Sequence, residues 1–188
     1  MVLQIYTGEG KGKSTAAFGL AMRAAGHGCR IRVIQFLKGN SFAGELRSAK
    51  KLGIEVFSFG RSCPHATLIN GGFMECDECA ECWVNPEKLT DSDRKKASMA
   101  WQLAQNTVRE GSIDILILDE VFAALELGLL PFEDFLKWLG NASSGMEIVL
   151  TGRNAPPEVI AMAHLVSRIE KIKHPFDING HPRRGIEY

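Results

Sequence analysis

The chain has 188 residues and balances 22 Lys plus Arg against 22 Asp plus Glu, so its formal net charge is zero. That length suits one domain with a core large enough to need no disulfide staple. The absent net field argues against a nucleic-acid or anionic-membrane partner. Apolar residues make up 45% and charged ones 23%, which excludes a largely disordered chain.

Charges interrupt every hydrophobic run well short of the ~20 residues a membrane span requires. The opening MVLQIYTGEGKGK enters structural sequence directly, without a basic, apolar and cleavable leader. A cytoplasmic location is therefore expected, where cysteines stay reduced or bind metal.

In chain order, β-rich runs fall at 3–6, 31–37, 56–59, 115–118, 148–150 and 166–172. Most are continuously apolar, as in a sheet covered on both faces. Residues 14–25 read as a helix that is apolar nearly all round and therefore buried, stopping at Gly26 and Gly28. Ala97, Ala100, Trp101, Ala104 and Val108 mark one face of an amphipathic helix that ends at Gly111. Phe132, Phe135, Leu136 and Leu139 repeat the spacing between Pro131 and Gly140, and Pro156-Pro157 opens another helix. Strands alternating with helices predict an α/β fold with a parallel sheet of about six strands. Residues 61–90 break the rhythm, hold four of the five cysteines, and read as a Cys-rich insertion within a single domain spanning 1–188.

The strongest chemical signal is Thr7-Gly8-Glu9-Gly10-Lys11-Gly12-Lys13-Ser14-Thr15, between the first strand and the first helix. Glycines let backbone N–H groups turn inward to cradle phosphates, and the helix N-terminus adds positive potential. Lys13 supplies a charge to the phosphates, and the Ser14 hydroxyl suits Mg²⁺. Thr7 stands where a phosphate loop ordinarily has its first glycine. The sheet is thus expected to be of the P-loop NTPase-like kind. The complementary acid belongs at the end of a later apolar strand, and Ile115–Leu118 followed by Asp119-Glu120 supplies it. A nucleoside triphosphate with Mg²⁺ follows, but not which bond breaks. An ATPase or kinase attacks the γ-phosphorus, with Glu120 aligning water. An alkyl transferase attacks the ribose 5′-carbon and expels triphosphate. A nucleotide-gated binding protein would bind without turnover.

Four stretches, TGEGKGKSTAAFGLAMRAAGHG (7–28), IQFLKG (34–39), LDE (118–120) and TGRNAPPEVIAMAHLVSRIEKIKHPFD (151–177) with the terminal RRGIEY, carry a resemblance. They resemble the ATP:corrinoid adenosyltransferases of the cob(I)yrinic acid a,c-diamide type, in which threonine at the first phosphate-loop position is itself the pattern. The resemblance implies a homodimer that transfers the 5′-deoxyadenosyl group of ATP to the Co(I) of a corrinoid, either cobalamin or cobyrinic acid a,c-diamide. Triphosphate leaves, and the nucleotide lies reversed relative to P-loop hydrolases. By position, Gly8, Glu9, Gly10, Lys11, Gly12, Lys13, Ser14 and Thr15 would wrap the triphosphate. Ser14 and Glu120 would ligate Mg²⁺, and Lys13 and Glu120 would be the catalytic pair. Arg23 and Arg153 would contact the nucleotide. Making Co(I) requires an electron, so a flavodoxin-like or other reductase is an expected partner.

Cys76, Cys79 and Cys82 follow C-x2-C-x2-C spacing, and Cys63-Pro64-His65 lies upstream. Four thiolates suit tetrahedral zinc, and the run also resembles an iron–sulfur pattern with a remote Cys-Pro. Unligated reduced thiols are the third reading. The remaining histidines are read as structural, and His65 alone sits near candidate ligands.

Overall fold

A computed structural model of the chain describes all residues except 40–41, 77–78, 143–144 and 179, together with the side chains at 176 and 178. Six strands form one sheet: β1 (Val2–Thr7), β2 (Ile31–Lys38), β3 (Glu55–Arg61), β4 (Ile115–Asp119), β5 (Glu147–Thr151) and β6 (Leu165–Arg168). Their order is β3-β2-β4-β5-β1-β6 and every pairing is parallel. Helices α1 (Lys13–Ala25), α2 (Gly44–Lys51), α3 (Ala66–Gly71), α4 (Asp91–Glu110), α5 (Val121–Glu126), α6 (Phe132–Gly140) and α7 (Pro157–Met162) flank it. This is the expected α/β architecture, consistent with a P-loop NTPase-like fold. Among the described residues no helix is long and apolar enough to cross a membrane.

The sheet separates two cores. Leu3, Ile5, Ile34, Leu116, Leu118 and Phe135 belong to one, and Ala17, Ala21, Val33, Ile117 and Val149 to the other. β4 is buried along its whole length, which matches its unbroken apolar run.

Two local expectations shift, and a third element gains a defined start. Helix α1 buries only Lys13, Ala17, Ala21 and Ala24, while Met22 is 59% exposed. A helix lying on a sheet covers it with one stripe, so small apolar residues on the outer face do not make it buried all round. β6 ends at Arg168, whereas the expected strand ran to 172. It lies at the sheet edge beside β1 and all four of its residues are exposed, so no apolar face defines its length. Helix α4 begins at Asp91, ahead of its apolar stripe, because Thr90 and Asp93 form a reciprocal capping box.

Residues 61–90 contain α3 and a short 3-10 turn, Pro86–Lys88, and Arg61 closes the base of this segment. Its guanidinium donates to Asp93 Oδ1 (3.0 Å) and Oδ2 (2.7 Å), and to the carbonyls of Lys88 (3.2 Å) and Trp83 (3.5 Å). Asp93 also accepts from the Thr90 N–H and hydroxyl. The Arg61 hydrogen bonds, helped by those from Thr90 and opposed by burial, hold the Asp93 carboxyl well below the usual carboxylate range.

A carboxyl lowered in the folded state stabilises fully above its unfolded pKa and loses that contribution as pH falls. Replacing Asp93 with Ala should therefore cost about 2–3 kcal/mol at neutral pH through lost charged hydrogen bonds and a lost cap. The difference from the parent should shrink below about pH 4. Urea titrations of both proteins across pH 2–7 check this.

Candidate nucleotide site

In an all-parallel sheet the carboxyl ends of the strands share one edge, where ligands bind. Here the neighbouring strands β1, β5, β4 and β2 end in Thr7, Thr151, Asp119 and the Gln35–Lys38 stretch. β1 leads through a glycine turn into α1, which delivers Lys13 and Ser14 to the same edge.

Asp119 is fully buried, and every partner holding it comes from another element. Its Oδ1 accepts from the Ser14 hydroxyl (2.7 Å) and the Thr151 hydroxyl (2.7 Å). Its Oδ2 accepts from Lys38 Nζ (2.8 Å) and Gln35 Nε2 (3.1 Å). Burial alone would raise this carboxyl, but the Lys38 charge and the hydrogen bonds from Lys38, Thr151 and Ser14 bring it below its ordinary value. Burial would likewise lower Lys38, and Asp119 and Glu120 more than offset it, so the amine rises.

Lys38 also donates to Ser14 Oγ (2.7 Å) and stands 3.8 Å from Glu120 Oε1. One ammonium is thus surrounded by the hydroxyl and carboxylate oxygens of Ser14, Asp119 and Glu120. Leu37 and Glu120 both adopt left-handed backbone, at φ 61° and 59°. These conformations are uncommon for non-glycine residues and cluster at functional sites.

The phosphate loop is held by its own contacts. Thr7 Oγ1 donates to the Arg153 carbonyl (2.6 Å) and accepts from the Ala155 N–H (3.2 Å), and the Gly8 N–H reaches the same Arg153 carbonyl (3.0 Å). A threonine thus stitches the β1 end to the loop after β5, a link that glycine could not make. Gly8 has φ +105°, and a Cβ there would meet the Ile169 carbonyl oxygen at 2.5 Å. Lys13 Nζ donates back to the Gly8 (2.6 Å) and Gly10 (2.7 Å) carbonyls. Burial pushes the Lys13 amine below the usual lysine value; Glu120 and Glu9 oppose this, and the like charges of Arg153 and Lys38 reinforce it.

Opposite the loop lies the C-terminal tail. Lys11 Nζ pairs with Glu187 Oε1 at 2.7 Å, and Arg183 binds the same carboxylate. Hydrogen bonds from Arg183 and then Lys11 lower the Glu187 carboxyl to about 2. Tyr188 packs edge-on against Phe42 with ring centroids 5.0 Å apart. Between loop and tail is a cavity of about 650 Å³ whose walls include Lys11, Ser14, Phe18, Glu45, Glu120 and Tyr188.

The expected residues therefore separate. Lys11, Gly12, Lys13, Ser14, Thr15 and Glu120 line the cavity, with Gly8 and Gly10 behind them as acceptors for Lys13. Glu9 and Arg153 pair with each other at 3.3 Å on exposed surface. Arg23 lies in the last turn of α1, about 14 Å along the helix axis from Ser14, and is not among the cavity residues.

Lys38, Gln35, Thr151 and Glu187 are not singled out by the sequence, which offers Asp119 as one of two adjacent acids and gives the Mg²⁺ role to Glu120. The acidic pair at the end of β4 was the available signal for Asp119. Its last strand residue aims at Ser14, whereas the left-handed Glu120 faces the cavity.

The whole chain, residues 1–188, matches the family described as ATP:corrinoid adenosyltransferase BtuR/CobO/CobP. It is 30% identical over 187 residues to a corrinoid adenosyltransferase of Escherichia coli (strain K12), covering 100% of this chain and 85% of the relative. A corrinoid adenosyltransferase of a Sinorhizobium species is 34% identical over 185 residues, covering 98% of this chain and 78% of the relative. With its phosphate loop, buried strand-end carboxylate and walled cavity, this chain belongs to the ATP:corrinoid adenosyltransferase family.

Proposed function

We propose that this protein transfers the 5′-deoxyadenosyl group of ATP to the Co(I) of a corrinoid, cobalamin or cobyrinic acid a,c-diamide, and releases triphosphate. The observation that carries the reading is a family match over the whole chain in which the phosphate loop opens on a walled cavity. The cobalt electron pair forms the Co–C bond, the 5′-carbon–oxygen bond breaks, and its electrons leave with triphosphate. No proton moves in that step, so no acid–base pair is needed. The protein's work is to neutralise the leaving group and fix the carbon in line.

Lys13 is poised for the first task. Among the described residues its ammonium is bound to carbonyls of its own loop, which phosphate oxygens can replace as acceptors. Lys11 would exchange Glu187 for phosphate in the same manner. The backbone at Gly12 and the N-terminus of α1 add donors and positive potential.

The Ser14, Asp119 and Glu120 oxygens suit Mg²⁺ chemically: they are hard donors already gathered around one cationic group, Lys38. Ser14 and Glu120 would hold the ion, and Asp119 would orient Ser14. When bound, Mg²⁺ supplies charge neutralisation for the departing triphosphate. The reading includes a homodimer, a cytoplasmic location, a flavodoxin-like or other reductase as electron source, and residues 61–90 as an insertion beside the cavity in a single domain.

The test is anaerobic, with MgATP and chemically reduced cobalamin. Loss of the Co(I) spectrum with light-sensitive adenosylcobalamin and stoichiometric triphosphate is expected. Free phosphate with an unchanged corrinoid would overturn the reading in favour of a hydrolase. Lys13→Ala should slow the transfer by about 10²–10³-fold in the same assay.

Replacing Lys38 with Met leaves the buried Asp119 carboxylate without its cation. That should cost about 3 kcal/mol of stability, with part of the loss recovered in MgATP. Thermal melts with and without the ligand read both effects, and an equal loss in both conditions would count against the Mg²⁺ assignment.

A further inference from the structure

Helix α2 has the sequence GELRSAKK and buries only Ala49, so its basic residues stay at the surface. The chain ends in Arg183-Arg184-Gly185-Ile186-Glu187-Tyr188, a second basic stretch. The fold brings one arginine from each together beside α3. Arg47, Asn70 and Arg184 line a pocket of about 140 Å³, with Phe42 and Tyr188 as its aromatic walls. Gly44, Gly185 and Tyr188 belong both to this pocket and to the nucleotide cavity, so the two adjoin.

Their charge differs. The nucleotide cavity sets Glu45, Glu120 and Glu187 beside its lysines. The smaller pocket has two guanidinium groups and, among the described residues, no acidic side chain. Arg183 is paired with Glu187, whereas no described acid pairs with Arg47 or Arg184. Arg47 donates to Asn70 Oδ1, an amide that carries no charge. Arg184 reaches the end of α3, where a Cβ on Gly72 would stand 3.4 Å from its Nη1. The Tyr188 main-chain oxygen is turned away onto the Gly185 N–H (2.6 Å). Two like charges in one small pocket repel each other, and an oxyanion between them would relieve this. Guanidinium forks match carboxylate and phosphate geometry.

The shared wall is held from two sides. The Tyr188 ring meets Phe42 edge-on, and its hydroxyl accepts from the Cys76 N–H (3.4 Å). The cysteine-bearing segment contributes α3 to the pocket but no thiol. Among the described residues, the metal-ligating atoms within 4.8 Å of one another are those of His65, Cys79 and Glu81, which include one of the four thiols expected to bind metal.

We propose that Arg47 and Arg184 form an oxyanion subsite for one acidic side arm of the corrinoid acceptor. The subsite rests on the adenosyl-transfer reading above. A corrin is a broad ring fringed by short arms. It cannot enter a space worth roughly five water molecules, but a single arm can, reaching over the Tyr188 wall while the cobalt faces the nucleotide. Cobyrinic acid a,c-diamide offers free carboxylates on its rim. Cobalamin has an amidated rim and offers the phosphodiester of its nucleotide arm. Both are oxyanions, and cobinamide, amidated and without that phosphate, offers neither. The two arginines thus set acceptor preference and take no part in the chemical step.

The test measures anaerobic transfer from MgATP to the chemically reduced forms of all three corrinoids. In the parent protein, the KM for at least one anionic acceptor should lie about tenfold or more below that for cobinamide. Added salt should erode the difference. Arg184→Gln and Arg47→Gln should each collapse the ratio towards one, with the change in the acceptor KM rather than in kcat or the KM for ATP. Arg184→Lys should restore part of it. An advantage for the diamide identifies a carboxylate as the bound group, and one for cobalamin identifies the phosphodiester. Equal KM values for all three acceptors in the parent overturn the subsite and leave adenosyl transfer standing. A rise confined to the KM for ATP reassigns the arginines to the triphosphate and also overturns it. No transfer to any corrinoid overturns the reading itself, and the subsite with it.

Discussion

A carboxylate with no access to solvent is the constraint around which this molecule is arranged. Asp119 ends the central strand β4 and is fully buried, so its charge must be met by protein donors. Four groups meet it: Lys38 and Gln35 from β2, Thr151 from β5, and Ser14 from the first turn of α1. Each lies in a strand adjacent to β4 or in the helix that follows β1. The sheet order and the phosphate loop are therefore tied together at one point. A shift in register between β2 and β4, where Gln35 pairs with Asp119, would separate the lysine from the acid. The two left-handed non-glycine residues among these strand ends, Leu37 and Glu120, flank this cluster. Their backbone cost is borne where the network holds the chain on both sides.

The lysines at the cavity each have a partner within the protein. Lys13 is bound to its own loop, Lys11 to Glu187, and Lys38 to Asp119 and Ser14. Under the proposed function, phosphate oxygens would take over these partners from atoms of the protein itself. The tail participates directly, since Glu187 and Tyr188 reach back across the length of the sequence to form the wall opposite the phosphate loop. Through Tyr188 the cysteine-bearing segment also touches that wall. The loop and the tail, remote in sequence, adjoin at the cavity, and the cysteine segment reaches it through the tail.

Much of the architecture was legible in the sequence. Apolar runs pointed to all six strands, most directly β4 and β5, whose burial on both faces leaves no alternation to blur them. Prolines and glycines at the ends of α6 and α7 marked helices for the same local reason. α2 escaped because it buries only Ala49 and so has almost no stripe to read. The end of β6 escaped because an exposed edge strand has no buried face to measure. At the site, the glycine turn with Lys13 and Ser14 was legible, since phosphate binding needs those residue types in that order. Asp119 was passed over for Glu120, because two adjacent acids cannot be assigned to different faces without the backbone turn between them.

By itself the sequence determined the α/β class, the phosphate loop and the chemistry its residue types permit, because each depends on neighbours within a few positions. It also carried the resemblance that the whole-chain family match then showed. Tertiary structure alone decided which partners those residues meet: Lys38 with Asp119, Thr7 with the loop after β5, Glu187 with Lys11, and His65 beside Cys79. The partners in these pairs are separated by between 14 and 176 positions along the chain. Local pattern reports what a residue can do, and only strand order and the path of the tail bring it within bonding distance of another.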